Sequence, residues 1–303
     1  MAVIDCHHHV WWVAKRPHYF PPAWGTSLNR DFTPDDLFPE LRAAGIDGTV
    51  LVQSMDNYDE TLEYLDLADT TPFIRAVVGW IPLADPAACS RALDALGGQT
   101  KFVGMRHLIN FEPDPRWLLQ PGVQASLDML RQRRLVLEVI PNTEPQMASV
   151  LEAARRMPDF PVVLNHLGRP PVPEGGWEPW ASQIAQAAAL PNVSVKLSLG
   201  GDVVWRWKWS TEALRRYSDH VLSHFGADRV MAGSNWPVVL LSGGFQQVWR
   251  GIEDLVSGLT AAERAAVMGF TAEEVYGLRW ALPSSLSTSI AARWASLAAG
   301  MPQ

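Results

Sequence analysis

TPDDLFPELRAAGIDGTVLV, residues 33–52, holds one helix-to-strand unit with both of its boundaries marked. Thr33 is an N-cap candidate, Pro34 takes the first helical position, and Asp35 and Asp36 place acids in the first turn. Gly45 supplies the left-handed residue that ends such a helix. Thr49-Val50-Leu51-Val52 then reads as a β-strand. Working outward, further β-branched runs occur at Val3–Asp5, Arg75–Gly79, Phe102–Arg106, Leu135–Ile140, Val162–Asn165, Val193–Leu197 and Val230–Gly233. Helix-length stretches at 57–70, 86–97, 122–133, 144–157, 177–190, 210–225 and 246–257 separate or follow them.

Strands alternating with helices predict a parallel sheet, because a parallel connection needs a crossover long enough to hold a helix. Eight such units over about 280 residues predict an α/β fold of the (β/α)8 TIM-barrel type. No Pro/Gly/Ser-rich linker interrupts residues 1–280, so they are expected to form a single domain. Residues 260–279 read as two short helices capping the barrel. Residues 281–303 form a Ser- and Ala-rich C-terminal tail in which Ile290, Trp294 and Leu297 recur at helical spacing.

The net charge of −7 argues against a nucleic-acid partner. The two cysteines, Cys6 and Cys89, exclude a disulfide framework and suit a reducing compartment. The N-terminus lacks the basic and apolar regions of a signal peptide, and no apolar run of membrane-spanning length occurs. A cytoplasmic enzyme acting on a small molecule is expected, as a monomer or a homo-oligomer.

Active sites of this fold gather at strand C-termini. His7 and His9 follow the first strand two residues apart, so they face the same way while His8 points elsewhere. Arg106-His107 ends strand four, Asn165-His166 strand six, Lys196 strand seven, and Ser234-Asn235-Trp236 strand eight. A single H-x-H pair is a weak signal. Several nitrogen-bearing groups at one mouth make a far stronger one.

The stretches IDCHHHVW, GMRH (104–107), LNHLGRP (164–170), VKLS (195–198) and RVMAGSNWPV (229–238) resemble, in order, the amidohydrolase superfamily and more narrowly its lactonase branch. That branch includes 2-pyrone-4,6-dicarboxylate lactonase and the L-rhamnono- and L-fuconolactonases. The resemblance implies a distorted (β/α)8 barrel that hydrolyses a lactone at its mouth. It implies catalytic roles for His7, His9, His166 and Arg106, with Arg106 gripping the carbonyl or a carboxylate. The three histidines are the expected ligands of one divalent metal ion, Zn²⁺ first, in a branch where other members work without metal. Strand five carries Glu138 and no histidine, so a binuclear centre is not expected.

Asn235 stands where the family usually has the aspartate that serves as general base. An amide cannot take a proton from water. Either the chain carries an inactivating Asp-to-Asn exchange, or Asn is natural and the base lies elsewhere. Asn165 likewise stands where Asp is common, and an amide oxygen can still orient His166.

Lys196, His107 and Arg169 are candidate substrate-binding groups, although Lys196 is equally placed to pair with Glu138. Lys15, Arg16, Arg30, Arg206 and Lys208 read mainly as solvated loop charges. Of the 14 tryptophans, Trp11, Trp12, Trp24, Trp80, Trp117, Trp177, Trp180, Trp205, Trp207, Trp209 and Trp236 fall at or after strand C-termini. Trp205, Trp207 and Trp209 would share a face if that stretch is extended. With Trp11, Trp80 and Trp236 they are expected to wall a deep, partly apolar pocket. Together these features predict a lactone hydrolase. The alternatives are a metal-dependent decarboxylase, an amide or imide hydrolase, and a non-catalytic ligand-binding homologue.

Overall fold

The alternation closes on itself. In the computed structural model, which describes residues 2–18 and 20–278, eight parallel strands form one sheet in sequential order. They are β1 (Ile4–His8), β2 (Gly48–Val52), β3 (Ile74–Gly79), β4 (Phe102–His107), β5 (Val136–Val139), β6 (Val162–Leu164), β7 (Val193–Leu197) and β8 (Val230–Ala232). The gap between β8 and β1 is bridged just beyond the strand ends. Asn235 N–H donates to the His7 carbonyl (2.8 Å) and His9 N–H to the Trp236 carbonyl (2.8 Å). The seam of the barrel is thus made by residues of the mouth.

Helices α1 (Pro34–Ala44), α2 (Tyr58–Thr70), α3 (Pro86–Ala95), α4 (Pro121–Gln132), α5 (Glu144–Arg156) and α6 (Trp180–Ala188) follow β1 to β6 in turn. A single turn, α7 (Gly201–Val204), precedes α8 (Thr211–Phe225), and α9 (Phe245–Leu255) follows β8. Short polar side chains set the starts, satisfying N–H groups that the first turn leaves free. Asp36 accepts the Thr33 N–H (2.8 Å), Asn57 that of Glu60 (3.0 Å), and Asp85 those of Ala87 and Ala88 (2.9 and 3.0 Å). Gly45, at φ 67°, ends α1 in the left-handed conformation.

The two short helices expected over 260–279 are α10 (Ala261–Ala265) and α11 (Thr271–Val275), joined by a π-helical turn at Ala266–Phe270. After α11, buried Tyr276 donates to Glu138 Oε1 (2.6 Å). The tail 281–303 and its expected helix lie outside the described residues. Among the described residues, no helix is long and apolar enough to cross a membrane.

Gly104 of β4 sits opposite Val136 of β5, where a Cβ would lie 2.6 Å from the Val136 carbonyl oxygen. Backbone cannot yield there without disturbing the ladder. Gly104→Ala is expected to destabilise the fold by about 1–3 kcal/mol, read as a lower urea midpoint at unchanged m-value.

Candidate active site

His7, His9, Arg106, His166 and Asn235 converge at the C-terminal mouth, each at most 5% exposed. The alternation of β1 turns His7 and His9 together, with their Nε2 atoms 3.2 Å apart. His8 points the other way and meets Thr49 Oγ1 at 2.9 Å. His166 joins from β6, its ring centroid 4.6 Å from that of His7. His166 and Asn235 both have left-handed backbones, φ 57° and 55°. Such strain at non-glycine residues concentrates at functional sites.

The neighbours fix the protons. His9 Nδ1 lies 2.8 Å from the Val52 carbonyl, which can only accept, so His9 is protonated there and Nε2 keeps its lone pair. Lys196 Nζ lies 3.2 Å from His7 Nδ1 and 2.7 Å from both oxygens of Glu138. The ammonium donates to His7 Nδ1, so His7 carries its proton on Nε2 and gives it to His9. Burial, reinforced by Lys196 at His7 and by Arg106 at His9 and His166, holds all three imidazoles well below the usual histidine range.

Arg106 forms no ion pair with a carboxylate among the described residues. One terminal nitrogen donates to the Gln53 carbonyl, and Nη1 lies 3.4 Å from His7 Nε2, which is itself a donor. Its Nε has no partner. Asn235 Nδ2 donates to the Leu199 carbonyl (2.7 Å), which leaves Oδ1 buried without a partner. Asp5 braces this end of the barrel by accepting from Ser234 Oγ (2.6 Å), Ser234 N–H (2.8 Å) and His7 N–H (3.2 Å). Burial pushes its carboxyl up to about 6 against those bonds.

Several expected substrate groups are engaged elsewhere. Lys196 is fully buried, and its three protons go to Glu138 and His7, which leaves none for a ligand. Arg169 pairs with Asp202, and Arg206 with Glu174. His107 is stacked on Trp117, with centroids 4.0 Å apart and planes at 7°. Trp11 is buried against Phe32 and donates to the Arg30 carbonyl (2.9 Å). Trp236 packs edge-on against Phe32.

The expected indole wall is not formed. Trp205, Trp207 and Trp209 do not lie on an extended strand, because Gly201–Val204 coils into a helical turn and Trp205 caps it. A Cβ on Gly201 would lie 2.2 Å from the Trp24 ring, so the β1–α1 segment packs onto that turn. Trp209 is buried over Gly251 of α9, and Trp177 and Trp180 pack against Tyr217 of α8. Trp80 and Trp207 remain half-buried, and Trp205 is 38% exposed. Most of these indoles seal loops and helices, and Trp80 is left half-buried with Nε1 at His107.

The expected metal ligands are not assembled as one group. Among the described residues, no group of three His, Cys, Asp or Glu is placed to hold an ion. Catalytic zinc sites use three protein ligands. Here His7 and His9 offer one lone pair between them, because Lys196 keeps the His7 proton on Nε2, and His166, with Nδ1 at Ser198 Oγ (2.9 Å), offers Nε2 as a second donor, which is one short of three. As hydrogen-bonded, the donors do not fit a divalent ion. Sequence reasoning passed over Gln53, Ser198, Asp56 and Glu112, all polar residues just past strand ends, where position alone was the available signal.

Over residues 4–278 the chain matches the amidohydrolase family. An L-fucono-1,5-lactonase of Burkholderia ambifaria is 35% identical over 245 residues, covering 80% of this chain and 82% of that one. Its counterpart from Burkholderia multivorans is 33% identical over 286 residues, covering 91% and 96%. A crystal structure of a Burkholderia multivorans amidohydrolase with bound zinc superposes with a TM-score of 0.83 at 32% identity, covering 92% of this chain and all of that one. With eight parallel strands and their helices in the matching order, this chain belongs to the amidohydrolase family.

Proposed function

We propose that the chain opens a lactone ring by adding water to its carbonyl at the barrel mouth. The observation that carries this reading is Arg106, a buried guanidinium with an unpartnered Nε and no carboxylate of its own. Such a group is built to receive negative charge, and the oxyanion of ester hydrolysis is where that charge develops. The lactonase names of the relatives support the same class, and L-fucono-1,5-lactone is the first substrate to assay.

The proton inventory assigns the remaining roles. Asn235 Oδ1, an unpartnered acceptor, orients the water, and His9 Nε2 takes its proton. Hydroxide adds to the carbonyl carbon while Arg106 stabilises the oxygen. Collapse breaks the ring C–O bond, and His9 returns the proton it gained to the departing oxygen, which restores the starting state with His7 Nε2 3.2 Å from His9 Nε2. The product acid releases its own proton to solvent. No step is routed through a metal. The free, buried thiols Cys6 and Cys89 suit the cytoplasmic location proposed for this enzyme.

His9→Asn is expected to lower kcat about 10²–10⁴-fold, and Arg106→Met about 10²–10³-fold. Absence of turnover on every sugar lactone and pyrone lactone tried would overturn the hydrolase reading. Asn235→Asp discriminates between bases. Turnover within about fivefold of the unsubstituted chain fits His9 as base, whereas a gain of about a hundredfold or more returns that role to position 235. Treatment with a chelator, followed by metal analysis, is expected to leave kcat/KM within about twofold; a loss restored by zinc would replace the proton scheme.

A further inference from the structure

Beside the acid–base cluster, side chains from three neighbouring strand ends meet: Asp56 after β2, Trp80 after β3, and His107 and Glu112 at and after the end of β4. Trp80 Nε1 donates to His107 Nδ1 (3.1 Å), so the His107 proton sits on Nε2 and goes to Glu112 Oε1 (2.7 Å). Asp56 Oδ1 accepts from Gln53 Nε2 (3.1 Å), while its Oδ2 lies 3.6 Å from His107 Nδ1, beyond a hydrogen bond. Neither carboxylate has a lysine or arginine partner among the described residues. Other charges near the mouth are paired, Lys15 and Arg16 with Glu63 of α2 and Arg169 with Asp202.

Accessibility gives this pair its meaning. Asp56 and Glu112 side chains are 29% and 26% exposed, whereas Arg106 is 3% exposed. Gln53 ties the two layers together, since the amide that holds Asp56 also donates to the Arg106 carbonyl (3.1 Å). Two carboxylates without a lysine or arginine partner among the described residues therefore lie beside the buried guanidinium and are more exposed than it is. Each keeps an oxygen without a donor, able to accept from a hydroxyl, and the half-buried Trp80 indole offers an apolar face for C–H groups.

We propose that Asp56 and Glu112 form an anionic rim that sets charge selectivity, favouring an uncharged polyhydroxylated lactone over a carboxylated one and repelling the carboxylate that ring opening creates. The proposal rests on the lactonase reading and adds to it. The same charge change that defines the reaction, neutral ring to anionic acid, is what the rim distinguishes. Arg106 favours the anion only at the reacting carbonyl, and the rim opposes it at the exit.

The test compares a neutral sugar 1,5-lactone with 2-pyrone-4,6-dicarboxylate in the unsubstituted enzyme and in Asp56→Asn and Glu112→Gln. In each variant the ratio of kcat/KM for the dicarboxylate to that for the neutral lactone is expected to rise about tenfold, and the hydroxy-acid product to inhibit about tenfold more strongly. An unchanged ratio in variants with native circular-dichroism spectra overturns the rim. The unsubstituted enzyme gives a check free of folding defects. Raising salt from about 20 to about 300 mM should speed the dicarboxylate relative to the neutral lactone, since exposed charges are screened more than buried ones; a relative fall overturns the rim. If neither compound is hydrolysed, the lactonase reading fails separately. Tryptophan-fluorescence titration with the same two compounds then decides the rim, supported by tighter binding of the neutral lactone and overturned by tighter binding of the dicarboxylate.

Discussion

Glu138 and Lys196 sit inside the barrel with no exposed side-chain surface, 2.7 Å apart, and the organisation of the mouth depends on their pairing. A buried ion pair is tolerable only when every proton and lone pair is engaged. Glu138 receives both Lys196 and the Tyr276 hydroxyl, so the segment after α11 completes the pair from the far end of the barrel. The third ammonium proton goes to His7 Nδ1. A structural requirement of the core thereby dictates which nitrogen of His7 is protonated at the mouth.

That constraint propagates by one further step. With its proton on Nε2, His7 is a donor toward His9. His9 in turn is fixed as an acceptor by the Val52 carbonyl behind it. Two chemically identical side chains thus become a donor and an acceptor through different second partners. Neither needs a carboxylate beside it, which makes an amide at position 235 compatible with hydrolysis. The same arrangement also explains why the pair does not present two lone pairs to a metal ion.

The fold was legible because its signals are local. Thr33, Pro34 and Gly45 bound α1, and β-branched runs coincide with all eight strands to within a few residues. The convergence of His7, His9, His166, Arg106 and Asn235 also followed from position, since parallel strands deliver their C-termini to one face. What the sequence left open was commitment. Lys196 was equally readable as a ligand group or as the partner of Glu138, and only the register across β5–β7 decides. The Trp205–Trp209 repeat suggested an extended wall, but Gly201 accepts the Trp24 ring and the backbone coils there. Indoles placed after strands turned out to fill spaces between loops and helices, a tertiary outcome that period-two spacing does not encode.

The charges of the mouth are layered. Inside, Arg106 is buried without a carboxylate ion pair among the described residues; outside, Asp56 and Glu112 are partly exposed and have no lysine or arginine partner among them. A lactone carries no charge through the outer layer and acquires it only on reaching the inner one. The rate of the chemical step benefits from Arg106 only as far as the transition state is more negative than the substrate. An anionic product held by the same guanidinium would linger, so attraction at the centre gains from an opposing field at the edge. His107, stacked on Trp117 and accepting from Trp80 Nε1, donates from Nε2 to Glu112 and so anchors that carboxylate at the edge.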